Sequence, residues 1–286
     1  MEPDIQAFFD EHTFTVTYLV SDPATRRAVI IDSVLDFDPK SGRTSTLSAE
    51  KVLAAIKAKD LSVDWILETH AHADHLSASV FLKERTGAMV AIGEHIKDVQ
   101  KVFKPVFNAS DVKGDGTPFD RLLKDGETLH VGGMAIDVIY TPGHTPACVS
   151  YHIGGNVFVG DTLFMPDYGT ARADFPGGDA HALYRSIQRI LALPAETTLW
   201  MCHDYKAPGR QNYAWTTNVG EQRARNVQIH EGVSEEEFVA KRMARDQTLE
   251  MPVLILPSVQ VNIRAGHMPP AEADGNVYLK LPVNRL

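Results

Sequence analysis

The chain has 286 residues, 44% of them hydrophobic, and a formal net charge of −9 with a pI near 5.7. That length suits a single α/β domain over residues 1–286 with a C-terminal extension, 211–286, and the acidic balance argues against a protein that tracks a nucleic-acid backbone along a basic stripe. No apolar run approaches the ~18–20 residues needed to span a bilayer, and the opening MEPDIQAFFDEHTF lacks the basic start and apolar core of a signal peptide, so the expectation is a soluble, cytoplasmic protein without a membrane or nucleic-acid partner.

Residues 14–20 and 28–31 read as two strands, and Ser21-Asp22-Pro23 and basic residues between them suit a hairpin. Residues 32–46 are turn-rich. Residues 49–58 have helical spacing through Val52, Leu53 and Ile56. Residues 63–68 form the next predicted strand, and the heptapeptide THAHADH (69–75) follows it as a loop. A helix over 77–86 and a strand over 88–92 complete a β-α-β progression, which puts the polar loop at a strand's carboxyl end, where α/β proteins place their sites. Residues 101–121 are expected to form an irregular insertion loop. From 128 onward short strands are predicted at 129–131, 135–140, 149–152 and 157–159, with Gly132-Gly133 and Gly154-Gly155 at turns. Leu183, Ile187, Ile190 and Leu191 mark an amphipathic helix. A strand at 198–201 follows, and Ser234 with Glu237 forms a capping box at the start of a further helix. Cys148 and Cys202, the only cysteines, are far apart and form no C-x-x-C; they read as small buried apolar residues.

Ligand-type side chains recur at the ends of these strands. His70, His72, Asp74 and His75 follow one, His144 another, Asp161 a third and His203 a fourth. Imidazole and carboxylate groups bind zinc, iron or manganese. A single strand-end histidine is ordinarily a structural hydrogen bonder, but seven such residues in this order are hard to explain by packing. The remaining histidines (His12, His95, His130, His152, His181, His230, His267) have no such context and read as structural or surface residues.

The pattern H-x-H-x-D-H, then a lone His, a lone Asp and a final His, resembles the metallo-β-lactamase superfamily. The resemblance implies a four-layer αββα sandwich with the seven residues at one sheet edge. Carried over, His70, His72 and His144 form one metal site, Asp74, His75 and His203 a second, and Asp161 bridges them. The fold hosts many chemistries, so it does not fix the reaction. Flanking segments narrow the choice. Thr141-Pro142-Gly143-His144-Thr145-Pro146, Arg172-Ala173-Asp174, His203-Asp204-Tyr205 and Asn262-Ile263-Arg264-Ala265-Gly266 together resemble the persulfide dioxygenases, the family of the ethylmalonic encephalopathy protein, over about residues 14–270.

That resemblance implies one Fe(II) per chain on His70, His144 and Asp161, a facial triad with positions open for substrate and dioxygen. His72, Asp74, His75 and His203 then support these ligands from behind. The implied reaction oxidises glutathione persulfide with dioxygen and water to sulfite and glutathione. His70, His144, Asp161 and Tyr205 are the expected catalytic residues. Arg172, Tyr205 and Arg264 are the expected glutathione contacts, because a guanidinium fork suits a carboxylate. Asp174 is expected to anchor the Arg172 loop, and Lys206 and Arg210 to be solvated. The alternative is a binuclear zinc hydrolase of a thioester or lactone, resembling glyoxalase II or a lactonase. Longer segments at 33–45, 101–121 and 162–171 resemble the branch often fused to a sulfurtransferase, which implies such a partner; a homodimer is also compatible with the family.

Overall fold

Two six-stranded sheets lie face to face between two layers of helices in the computed structural model, which describes residues 2–285. The first sheet has the order β1 (Asp4–Asp10), β2 (Thr15–Ser21), β3 (Arg27–Ile31), β6 (Ser62–Leu67), β8 (Met89–Gly93) and β9 (Arg121–Leu123). Its first three strands are antiparallel; β3, β6, β8 and β9 run parallel. The second sheet has the order β10 (Thr128–Val131), β11 (Met134–Tyr140), β12 (Val149–Ile153), β13 (Asn156–Phe158), β14 (Thr198–Trp200) and β15 (Thr216–Asn218). A small third sheet has the strand order β5 (Arg43–Ser45), β4 (Val34–Asp38) and β7 (Leu76–Ser77).

The period-2 pattern of the strands sorts their side chains between layers. Val16, Tyr18 and Val20 of β2, with Val29 and Ile31 of β3, meet Ile136, Val138, Tyr151 and Phe158 of the second sheet in one core. Leu19 and Ile30, one residue out of phase, enter the opposite core. There they pack beneath α1 (Leu47–Ala58), α2 (Ser79–Thr86), α3 (Ile96–Phe107) and α7 (Ile255–Asn262). On the far side, Val157 and Leu199 meet α4 (Ala180–Leu191), α5 (Val219–Arg225) and α6 (Glu235–Asp246). The layers are therefore αββα, as expected. The C-terminal segment divides between them: α6 packs on α4, while α7 packs against α3 and β7.

Three local expectations need correction. Residues 101–107 are not loop but the second half of α3. Ile96, Val99, Phe103 and Phe107 put a buried stripe on one face, and this burial holds the helix through Pro105 in its last turn. Irregular chain begins only at Asn108. Residues 32–46 are not merely turns. Asp38 accepts from the backbone of Lys40 and the hydroxyl of Ser41, closing a β4–β5 hairpin. Finally, β1 lies outside the predicted strands, although it pairs with β2 along its whole length.

Candidate metal centre and its cavity

Both large sheets deliver residues to one place. The loop after β6 carries His70, His72, Asp74 and His75, and Asp32, at the end of neighbouring β3, fixes its shape. Asp32 accepts from the Thr69 backbone N–H at 2.7 Å and from the Thr69 hydroxyl at 2.8 Å. It also faces His72 Nε2 at 3.0 Å, and Glu68 Oε2 lies 3.3 Å from the same nitrogen. His72 is thereby turned with Nδ1 toward the other histidines. Burial opposes charge on this ring, but Asp32 and Glu68 outweigh it and raise the pKa well above the ordinary value. His70 has no such carboxylate against its ring; burial and the neighbouring histidines push its pKa well down.

His144 follows β11, and its Nδ1 lies 2.8 Å from the carbonyl oxygen of Arg172. That contact assigns the proton to Nδ1 and leaves Nε2 for the centre. His144 Nε2 is 3.7 Å and His70 Nε2 is 4.0 Å from Asp161 Oδ2. Asp161 sits in a single 3-10 turn, Gly160–Thr162. The chain can pass there only because residue 160 is glycine: its φ is +52°, and a Cβ would lie 2.7 Å from the Thr69 side chain. His203 follows β14. Its Nδ1 is 3.2 Å from the Phe14 carbonyl, and its Nε2 is 3.3 Å from Asp161 Oδ1 and 3.5 Å from Asp74 Oδ2.

All seven predicted ligands therefore converge. The donor atoms of His70, His144 and Asp161 lie within 4.8 Å of one another, as do those of His72, Asp74 and His75. His70 Nε2, His72 Nδ1, His75 Nε2, His203 Nε2 and Asp161 Oδ1 are buried without a hydrogen-bond partner. Leaving one buried polar group unpaired costs about 1–3 kcal/mol, so five together fit a site built to be completed by a metal ion. Cys202 lies beside His72 and His203, but its thiol is 3.5 Å from Asp32 Oδ2 and burial raises its pKa well above the ordinary value. It is placed as a protonated neighbour rather than a thiolate ligand.

Asp74, His144 and Asp161 line a cavity of about 1200 Å³. Its wall is aromatic. Tyr205 stacks on His203 with ring centroids 5.5 Å apart and an interplanar angle of 18°, and Phe164 meets Tyr205 edge-on at 5.8 Å. Burial, followed by the charges of Asp74 and Asp161, raises the Tyr205 pKa well above its ordinary value. Its hydroxyl is thus a hydrogen-bond donor at neutral pH. Residues 228–254 supply much of the rest of the lining, including Arg242, Arg245 and Leu254.

The two expected arginines differ in position. Arg172 lines the cavity, but its Nε and Nη2 fork grips Asp174 at 2.6 and 2.8 Å, and Nη1 donates to the Glu250 carbonyl at 2.7 Å. Asp174 thus anchors the Arg172 loop. Arg264 is not among the cavity-lining residues. It is buried, forked on Asp111 at 2.7 and 2.8 Å and bonded to the Gln260 carbonyl, so the expectation that it holds substrate is not met by its geometry. The segment around it clamps the metal loop instead. Asn262 donates to the carbonyls of His72 and His75 and accepts from Ser77 N–H, each at 2.8 Å. Gly266, at φ +83°, lies against Ser79, where a Cβ would sit 2.4 Å from the hydroxyl oxygen. Arg210, expected to be solvated, instead bridges Asp167 and Asp204. Lys206 lies 4.2 Å over the Tyr213 ring. Asp32, Tyr168, Arg245 and the cavity-lining His12 are the residues that sequence reasoning missed, and of these only Asp32 had a signal, as a carboxylate directly after the apolar run Val29-Ile30-Ile31; Asn262 was marked by its segment, but its role as a clamp was not.

A sequence model of the metallo-beta-lactamase superfamily matches residues 12–203, which include every one of these ligands. This chain belongs to that superfamily. Within the superfamily it is 52% identical to a probable metallo-hydrolase of Burkholderia pseudomallei over 99% of both chains. It is also 52% identical to a beta-lactamase hydrolase-like protein of Agrobacterium fabrum, but spans only 65% of that protein's length. Glyoxylase B2 of Dictyostelium discoideum is 47% identical over 99% of this chain and 97% of its own. More distant is the human mitochondrial persulfide dioxygenase ETHE1, 28% identical over 93% of this chain and 90% of its own. Among solved structures, ETHE1 from Myxococcus xanthus matches with a TM-score of 0.74 and 32% identity, covering 92% of this chain and 100% of that one. The similarity to persulfide dioxygenases is thus present alongside closer relatives named as hydrolases or glyoxylases. No helix among the described residues is long and apolar enough to cross a membrane.

Proposed function

We propose that this chain is an Fe(II)-dependent persulfide dioxygenase that converts glutathione persulfide, dioxygen and water to glutathione, sulfite and two protons. The observation that carries this reading is the trio His70, His144 and Asp161, clustered within 4.8 Å with His144 and Asp161 on the wall of the cavity. Two imidazoles and one carboxylate leave coordination positions open for substrate and dioxygen. Iron held there supplies the redox chemistry that zinc lacks.

The chain's own groups support the rest. The Arg172 carbonyl fixes the His144 ring, and the Phe14 carbonyl fixes His203. Tyr205, stacked on His203 and lining the cavity together with Asp161 and Asp74, presents a protonated hydroxyl suited to hydrogen-bond a sulfur or oxygen in it. Phe164, Phe175 and Tyr205 keep the adjoining wall apolar, which limits water at the reacting sulfur. Arg172 contributes its position and backbone more than free donors.

A second reading is a binuclear zinc hydrolase of a thioester or lactone. Two observations favour it: Asp74, His75 and His203 supply a second donor set across Asp161, and glyoxylase B2 is 47% identical. Metal analysis of protein from iron-supplemented cells, paired with oxygen uptake on glutathione persulfide and thioester loss on S-lactoylglutathione, separates the two. The dioxygenase reading expects about one iron per chain and oxygen uptake. Two zinc ions, thioester hydrolysis and no oxygen uptake would replace it with the hydrolase.

A further inference from the structure

The cavity has a cationic end that the metal centre does not use. Arg172 and Arg242 line the wall, but both are committed. Arg172 is forked on Asp174; Arg242 is buried, with Nε and Nη2 on Asp246 and Nη1 on the Thr170 carbonyl and Gln228. Arg245, one turn-end further along α6, differs. It is exposed and lines the same cavity, and its side chain makes a single 3.4 Å hydrogen bond to the Thr248 hydroxyl. Among the described residues no carboxylate pairs with it.

An aromatic wall runs from the metal ligands along the cavity that Arg245 also lines. His203 stacks on Tyr205, and Tyr205 meets Tyr168 with ring centroids 5.4 Å apart. Tyr168 comes from the 162–171 segment and lines the cavity. Arg242, three residues before Arg245 on α6, donates to the carbonyl of Thr170, two residues after Tyr168, so α6 and the Tyr168 segment meet at the same part of the cavity that Tyr168 and Arg245 line. Neither tyrosine hydroxyl has a hydrogen-bond partner among the described residues. From a different element, Arg43 of β5 also lines the cavity, exposed and without an ion pair among the described residues. The same cavity carries Asp36, Asp38, Asp167 and Glu250 on a chain of net charge −9. An anionic ligand entering it therefore needs uncommitted cations, and Arg245 and Arg43 supply them.

We propose that Arg245 and the Tyr168 hydroxyl form a carboxylate-binding subsite at the end of the aromatic wall, with Arg43 as a second, weaker anion contact. The subsite selects thiol conjugates that carry a carboxylate remote from the reacting sulfur. A free guanidinium fork beside a phenolic donor matches a carboxylate's two oxygens. The inference rests on the reading of the centre as one that takes a thiol conjugate, and it transfers the role expected of Arg264 to residues on α6 and the β4–β5 hairpin.

The test is calorimetric binding of glutathione and of its diethyl ester to the metal-loaded protein, its Arg245→Gln variant and its Arg43→Gln variant. Arg245→Gln is expected to weaken glutathione binding about tenfold, as for loss of one charge-assisted hydrogen-bonded contact, and to leave the ester within about twofold. Arg43→Gln is expected to have a smaller effect in the same direction. Because both arginines are exposed, melting curves should be unchanged. Equal binding of glutathione by Arg245→Gln and the unaltered protein would overturn the proposal, as would an unaltered protein that binds the ester as tightly as the acid. Turnover does not enter the measurement. Arginine-dependent glutathione binding without oxygen uptake on the persulfide would sink the reaction and keep the subsite; oxygen uptake with no acid-over-ester preference would sink the subsite alone.

Discussion

Asp32 is the residue on which the geometry of the first metal ligands depends. It is buried, ends β3 with φ +53°, and serves three groups at once: the Thr69 backbone, the Thr69 hydroxyl and His72 Nε2. His70 follows Thr69 directly, so one carboxylate orients two of the histidines. Burial opposes ionisation of Asp32, but the charge and hydrogen bond of His72 and the hydrogen bonds from Thr69 lower its pKa. Groups that orient metal ligands in this way typically contribute 10–100-fold in affinity. Asp32→Asn keeps the shape and loses the charge. It is expected to weaken metal binding by roughly that factor, measured by competition with a chromogenic chelator, while circular dichroism stays the same. An unchanged affinity would reduce Asp32 to a packing residue. The same scale shows why residue type alone misleads. Arg264 and Arg245 are both arginines, but Asp111 consumes the first, whereas the second has only a 3.4 Å bond to the Thr248 hydroxyl and no carboxylate partner among the described residues. That difference depends on which acidic residue the fold brings alongside, and Asp111 lies 153 positions from Arg264.

Among the elements, α7 has an unexpected duty. Its last residue, Asn262, reaches across to β7 and the loop before it and ties down three backbone groups, one in the strand and two in the loop. Asn262→Ala leaves Ser77 N–H and the carbonyls of His72 and His75 unpaired in a buried place. The expected cost is about 2–3 kcal/mol in chemical denaturation. A faster release of metal to excess chelator should accompany it, because the carbonyls belong to ligand residues. Asn262→Asp, which keeps the acceptor for Ser77 and loses both donors, should release metal faster with the Ser77 contact intact. If both variants release metal at the original rate, α7 is only packing. The strands that carry ligands were legible in sequence because each is an apolar run ending in a polar group, and their cores alternate with period 2. The second half of α3 was not, because Pro105 and the Gly/Asp-rich chain after it obscure the stripe Ile96, Val99, Phe103 and Phe107. The β4–β5 hairpin was missed because its strands are short and half polar, and its pairing depends on the turn chemistry of Asp38. The ligand set was legible for the opposite reason: its residues are chemically distinctive. The clamp by Asn262 and the free state of Arg245 are not, since both depend on partners distant in sequence.

At the scale of the whole molecule, the centre sits across the two large sheets. The first sheet supplies His70, His72, Asp74 and His75; the second supplies His144, Asp161 and His203. A bound metal therefore cross-links the halves, but the halves do not depend on it for cohesion. Val16, Tyr18, Ile136, Tyr151 and Phe158 already join the sheets in a dry interior, and each sheet has a second core beneath its helices. Chelation should accordingly lower stability without unfolding the chain, unlike a small zinc domain whose fold is made by its metal. At free metal about 100 times Kd, binding contributes about 2.7 kcal/mol. For a chain of 286 residues that corresponds to a shift in Tm of about 5 °C. The expected outcome is a chelator-treated protein with unchanged far-ultraviolet circular dichroism, a Tm lower by about that amount, and recovery on adding back iron or zinc. Loss of secondary structure at room temperature on chelation would mean that the cores do not hold the sheets without the metal. An unchanged Tm, with metal content shown to fall, would mean that the buried donor atoms of His70, His72, His75, His203 and Asp161 find other partners when the ion leaves.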